Sequence, residues 1–237
     1  QKLFWNQGVA NILVLVDPTS VYLYSGLTKP QEELSSEDSE ASALIDELNL
    51  ADYTWKIKNF FHSLASGRFY ESHRRFFKPD ESVDAWLLDN LRALRNSLIY
   101  GEEGLDIRDA HAFIGRVLFL CYLLDRGIIS IDRSNRAGTT TGQLAGILAS
   151  RPFNSQVAYL YSLFYDLKRR FNGNMFDQDL DTERQRVRPE HLKKLIDFLG
   201  GHKVETGQRS LGFWPFNFKM IPVETISAIY QDFLSAE

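Results

Sequence analysis

Two patterns of apolar residues divide the chain. Near its start, Asn11-Ile12-Leu13-Val14-Leu15-Val16 is β-branched and almost wholly apolar, which predicts a strand. Asp17-Pro18-Thr19-Ser20 reads as a turn, and Val21-Tyr22-Leu23-Tyr24-Ser25 as a second strand. A lone two-stranded hairpin is marginal in water. The first strand is apolar on both faces, so a larger sheet or a helical layer is expected to cover it. Residues 1–30 are therefore read as a short β-hairpin, the remnant of a larger α/β N-terminal domain whose beginning is trimmed, since the text opens abruptly at Gln1.

From Ala41 onward the spacing is helical, with apolar positions three or four residues apart. Ala51–Ser66 carries Trp55, Ile57, Phe60, Phe61 and Leu64, and Gly67 is a natural stop. Val83–Tyr100 places Trp86, Leu87, Leu91, Leu94 and Leu98 on one face, with Asp89, Arg92 and Arg95 opposite. Asp106 can cap a helix through Asp125 that Gly127 ends; its middle is apolar nearly all round, which marks it as the central, buried helix. Helices are also predicted at Thr141–Ser150, at Ser155–Phe171, from Pro189 to Gly200-Gly201, and at Val223–Leu234 behind Pro222. Residues 31–40, acidic and Ser-rich, have little to bury and read as a linker. The expected fold class is mainly α, a helical domain over residues 41–237 preceded by the hairpin.

Composition narrows the function. At 237 residues, 44% apolar and 24% charged, the chain is an ordinary globular one rather than a disordered one, with no apolar run long enough to span a bilayer. The formal charge of -4 argues against a uniformly basic nucleic-acid binder, though a locally basic face is compatible with it. The single cysteine, Cys121, excludes a disulfide framework and a multi-cysteine zinc site, and its apolar neighbours make it a core residue. A soluble, cytoplasmic protein without a membrane partner is expected.

The chemistry encoded is sparse. There is no dinucleotide-binding glycine motif, no phosphate loop, no HExxH and no serine-hydrolase elbow. His62, His73, His111, His191 and His202 lack metal-ligand spacing to one another. Asp17 ends a strand as a nuclease carboxylate would, but no Glu-x-Lys follows, and it reads as the turn residue before Pro18. No metal site and no catalytic residue is assigned. Three basic clusters remain as candidate DNA contacts: Arg74 and Arg75 in an aromatic-rich stretch with Arg68; Lys168, Arg169 and Arg170 at a helix end; and Arg184, Arg186 and Arg188 alternating in a loop. The first two also have a plain structural reading. The first can be a solvated face beside core aromatics, and the second can answer the helix dipole. The third has no helix end to explain it and could grip phosphates.

The stretch Gly212-Phe213-Trp214-Pro215-Phe216-Asn217-Phe218-Lys219-Met220-Ile221-Pro222-Val223-Glu224-Thr225-Ile226-Ser227-Ala228-Ile229-Tyr230-Gln231-Asp232-Phe233-Leu234 resembles the region preceding the methyltransferase core in large single-chain restriction–modification enzymes of type IIG and its relatives, which methylate adenine N6 in DNA. Phe171-Asn172-Gly173-Asn174-Met175-Phe176, Gly115–Phe119 with Leu123–Ile128, and Tyr24-Ser25-Gly26-Leu27 are softer matches. The family's S-adenosylmethionine turn and its Asn-Pro-Pro-aromatic base-flipping motif are absent, and no two prolines are adjacent. The resemblance thus implies a non-catalytic helical fragment ahead of a methyltransferase core in the same parent chain, connecting domains and contacting double-stranded DNA. It implies S-adenosylmethionine for the parent and no cofactor for the fragment. Two other readings are a standalone helical DNA- or protein-interaction module and a degenerate nuclease built on the hairpin.

Overall fold

The structure, a computed structural model, describes residues 2–28, 43–49, 54–100, 104–131, 140–171, 179–202, 204 and 216–235. The acidic stretch 31–40 lies outside the described residues, as do 172–176 and 212–215 of the family-like segments. The chain forms two compact units, residues 1–86 and 87–237. Helix dominates, and among the described residues the strands belong to one small sheet near the N-terminus.

In the first unit, helix α1 (Lys2–Gln7) precedes strands β1 (Ile12–Val16), β2 (Ser20–Ser25) and β3 (Leu44–Asn49), then helices α2 (Thr54–Ala65) and α3 (Arg68–Ser72) and two 3-10 turns. The hairpin expected from the sequence is present, with Val14 opposite Leu23 and Val16 opposite Val21. Asp17 closes its turn: one carboxylate oxygen accepts from the backbone N–H of Thr19 at 2.7 Å and of Ser20 at 2.6 Å. Those bonds hold its carboxyl below the usual range.

Residues 44–49, expected to be helical, instead form the third strand, antiparallel to β2 with Tyr22 opposite Glu47. Pairing decides this: β2 has a second edge to satisfy, and Ile45 and Leu48 pack on the sheet's buried face. That face holds Val21, Leu23, Phe60 and Phe69, with the Phe60 and Phe69 rings 5.2 Å apart edge to face. Of the apolar residues spaced along α2, Phe60 is buried, whereas Trp55 and Phe61 are about 60% exposed. Gly67 ends α2 at φ 78°, a conformation that favours glycine. Helix α1 is not legible in the sequence; its Trp5 is buried and donates to the Glu81 carbonyl at 3.0 Å.

The second unit contains most of α4 (Val83–Ile99), then α5 (Ile107–Asp125), α6 (Thr141–Ala149), α7 (Phe153–Arg170), α8 (Leu180–Arg186), α9 (Pro189–Leu199) and α10 (Val223–Ser235). Helix α5 is buried along most of its length, as its all-round apolar middle predicts, and is capped by Asp106, which accepts from the Asp109 N–H at 2.8 Å. Leu87, Leu91, Leu94 and Leu98 of α4 are buried on one face. A capping box joins Thr140 and Gln143 at the start of α6. Helix α10 packs inward: Ile229 and Phe233 are buried, and the Tyr230 hydroxyl donates to the His111 carbonyl at 3.2 Å. Among the described residues, no helix is long and apolar enough to cross a membrane.

Candidate nucleic-acid interface

Residues 180–186, a loop by sequence pattern, form helix α8, and this correction changes the meaning of its arginines. Asp179 caps it, accepting from the Asp181 N–H at 3.0 Å and the Thr182 hydroxyl at 2.6 Å. Acidic residues fill its first turn and Arg184 and Arg186 its last, the arrangement a helix dipole favours. One side of α8 is anchored in the core by Glu183, which forms an ion pair with Arg116 of α5 and accepts the Tyr161 hydroxyl of α7 at 2.6 Å. Both charged side chains of the pair are sealed from solvent. Burial pushes the Glu183 carboxyl up, against the pull of Arg116 and Tyr161, and burial also pushes the Tyr161 phenol up. The sequence holds one signal for this anchor: Arg116 interrupts an otherwise apolar helix, and a buried guanidinium demands a carboxylate. It does not say which one.

With Glu183 turned inward, the three arginines separate. Arg186 reaches back to α5, with one guanidinium nitrogen 3.1 Å from Asp106 and 3.2 Å from Asp109. Arg184 and Arg188 instead line an open cleft of about 440 Å³, together with Phe153, Asn154, Val157, Asp181, Gln185 and Val187. Arg188 donates to the Gln185 carbonyl at 2.8 Å, and its own N–H donates to His191 Nδ1 at 3.1 Å. The first turn of α7 borders the same cleft, and Pro152, at its N-cap, supplies no capping side chain. Asp181 supplies an opposing charge at the cleft's edge, where it accepts the Tyr165 hydroxyl at 2.5 Å. That bond pushes the Tyr165 phenol up to about 12. Two guanidiniums beside a positive helix end make a lining suited to an oxyanion such as a phosphate.

The other basic residues lie elsewhere. Lys168, Arg169 and Arg170 end α7, an 18-residue helix about 27 Å long, so they stand at the far end from Phe153. Asp166 holds both Arg169, at 3.1 Å, and Arg170, at 2.8 Å. Arg74 and Arg75 form an exposed 3-10 turn in the first unit, with the Arg75 guanidinium 4.6 Å from the Phe76 ring centroid. That unit has its own open cleft of about 460 Å³ between β3, α2 and α3, where Asp46 and Glu47 face Trp55, Lys56 and His73. Its mixed charge fits a polyanion less well than the Arg184–Arg188 cleft does.

Among the described residues no group of three or more His, Cys, Asp or Glu side chains could hold a metal ion. Cys121 is fully buried, and burial pushes its thiol far up, which leaves it a core residue. His191 is buried too, and desolvation lowers its pKa. Comparison of the chain with known protein families, with characterised proteins and with solved structures returns no match.

Proposed function

We propose that this chain is a non-catalytic helical portion of a single-chain, adenine-N6 DNA methyltransferase of the restriction–modification type, which joins domains and holds the DNA backbone through Arg184 and Arg188. The observation that carries the proposal is the cleft in which those two guanidiniums meet the uncapped first turn of an 18-residue helix. Phosphate contacts of this kind position a protein on DNA without reading sequence. The family-like segment supports the reading from the other side. Its described part, Phe216–Leu234, forms the approach to α10 and the helix itself, docked on α5.

On this reading the methyl donor belongs to a core that the parent protein carries in the same chain, and the assembly works on cytoplasmic DNA. The cleft does not fit S-adenosylmethionine: two guanidiniums would oppose its sulfonium, and among the described residues no glycine lines the wall for a close backbone approach.

Fluorescence anisotropy with a labelled duplex tests the proposal. Binding is expected to be weak and salt-sensitive, and to drop in an Arg184→Ala/Arg188→Ala variant. Binding unchanged in that variant would remove the cleft from the interface.

A further inference from the structure

The sheet of the first unit ends in two edges of opposite character. Among the described residues its strand order is β1-β2-β3, so β1 and β3 are both edges. Strand β3, Leu44-Ile45-Asp46-Glu47-Leu48-Asn49, carries two adjacent carboxylates. Antiparallel pairing of β3 with its own copy would bring Asp46 against Glu47, a charge guard of the kind edge strands commonly have. Strand β1 has no such guard. No charged residue occurs from Gly8 to Val16, the β1–β2 register runs without a shift, and Val14, Leu15 and Val16 are 43%, 48% and 67% exposed.

Among the described residues, the backbone of β1 is open as well. The Asp17 N–H donates to the Ser20 carbonyl, and the Gly26 N–H to the Asn11 carbonyl. Antiparallel ladders alternate bonded and non-bonded pairs, so Leu13–Tyr24 and Leu15–Tyr22 exchange bonds between these two closures. The N–H and C=O groups of Ile12, Val14 and Val16 therefore aim away from β2, toward the open edge.

We propose that β1 is a homodimerisation edge, at which a second copy of this chain adds its own β1 antiparallel about a two-fold axis at Val14. This register sets Val14 opposite Val14 of the other copy and Ile12 opposite Val16, so outward-aimed groups meet outward-aimed groups. It sets Asp17, the one charge near the strand, opposite Asn11 and not another carboxylate. Such self-complementarity is what an isologous contact requires. The inference is independent of the DNA reading.

The contact is small, so the dimer is expected to have a dissociation constant of about 10–100 μM. Sedimentation velocity of the whole chain over a concentration series should show monomer giving way to dimer. Val14→Lys and Val14→Glu, at an exposed position whose backbone groups take no part in the β1–β2 ladder, should each be monomeric, and a one-to-one mixture should associate again. Amide exchange gives a second readout: Leu13 and Leu15 should be protected at every concentration, Ile12, Val14 and Val16 only where dimer forms. A wild-type chain that is monomeric throughout the series would overturn the proposal. So would a dimer that survives Val14→Lys, which would place the contact on another surface. Failure of the mixture to associate would overturn the Val14-centred register, and concentration-independent protection of Val14 would mean that another segment of the same chain covers the edge.

Discussion

Arg116 of α5 and Glu183 of α8 form an ion pair wholly inside the second unit, and that pair decides which way the arginines of α8 face. Breaking a buried pair by removing one partner leaves a charge uncompensated, whereas replacing both by apolar groups of similar volume is often tolerated. Glu183→Ala is therefore expected to destabilise the unit by about 3–5 kcal/mol. The double variant Arg116→Met/Glu183→Leu should recover most of that loss. Urea unfolding followed by circular dichroism measures both. A Glu183→Ala cost below about 1 kcal/mol would mean that the pair is not sealed as described.

A second contact sets the position of α10. Gly115 of α5 lies so close to Tyr230 that an added Cβ would come within 2.7 Å of the hydroxyl oxygen and 3.2 Å of the ring carbon bearing it. Gly115→Ala should push Tyr230 off the His111 carbonyl and cost about 1–3 kcal/mol, less the gain of up to about 1 kcal/mol from alanine's better helix propensity. In a Tyr230→Phe background the clash with the oxygen is gone. A double-mutant cycle should thus show coupling above about 0.5 kcal/mol, and additive effects would contradict the packing of α10 on Gly115.

The helices that can be read in the sequence carry their own punctuation. Asp106 and Gly127 bracket α5, Thr140 and Gln143 open α6, and Pro189 starts α9. What cannot be read depends on distant partners. Leu44–Asn49 carries one β-branched residue, and it is a strand because β2 is there to pair with it. Helices α1 and α8, of six and seven residues, are too short to show a period. For the candidate site, the sequence names the arginines, but their grouping follows from Glu183 meeting Arg116, 67 residues away.

Asp84 should make the first unit sensitive to acid in an unusual direction. It lies in the first turn of α4, half-buried, and its Oδ1 makes no hydrogen bond. Desolvation raises its pKa above the ordinary 3.8. A carboxyl raised in the folded state contributes stability that is fully present below the unfolded value and lost as pH rises through the folded one. Asp84→Asn should accordingly stabilise at neutral pH, by less than about 1 kcal/mol because a half-exposed group is partly screened. The advantage should vanish below pH 3.8, where both states of the wild type are protonated. An advantage that is constant with pH would show that ionisation plays no part.

Burial of Cys121 gives a kinetic expectation. Its thiol is held far above the usual range by desolvation, so the reactive thiolate is scarce and inaccessible in the native state. Labelling by a disulfide reagent should be negligible in buffer and rapid in denaturant. Fast native labelling would mean that α5 opens readily or packs otherwise.

Salt dependence separates the arginines that bind from the one that braces. Removing a side chain that neutralises one phosphate lowers the slope of log affinity against log salt by about 0.9. Arg184→Ala/Arg188→Ala should therefore flatten the slope by about 1.8, if each residue neutralises one phosphate. Arg186 is committed to Asp106 and Asp109. Arg186→Ala should leave the slope unchanged and lower stability by no more than about 1 kcal/mol, the usual range for exposed ion pairs. Arg169→Ala/Arg170→Ala should also leave the slope unchanged, because Asp166 already pairs both and they stand at the far end of α7. Equal flattening of the slope in all three variants would point to a diffuse basic surface and would defeat the assignment of the backbone contact to the cleft.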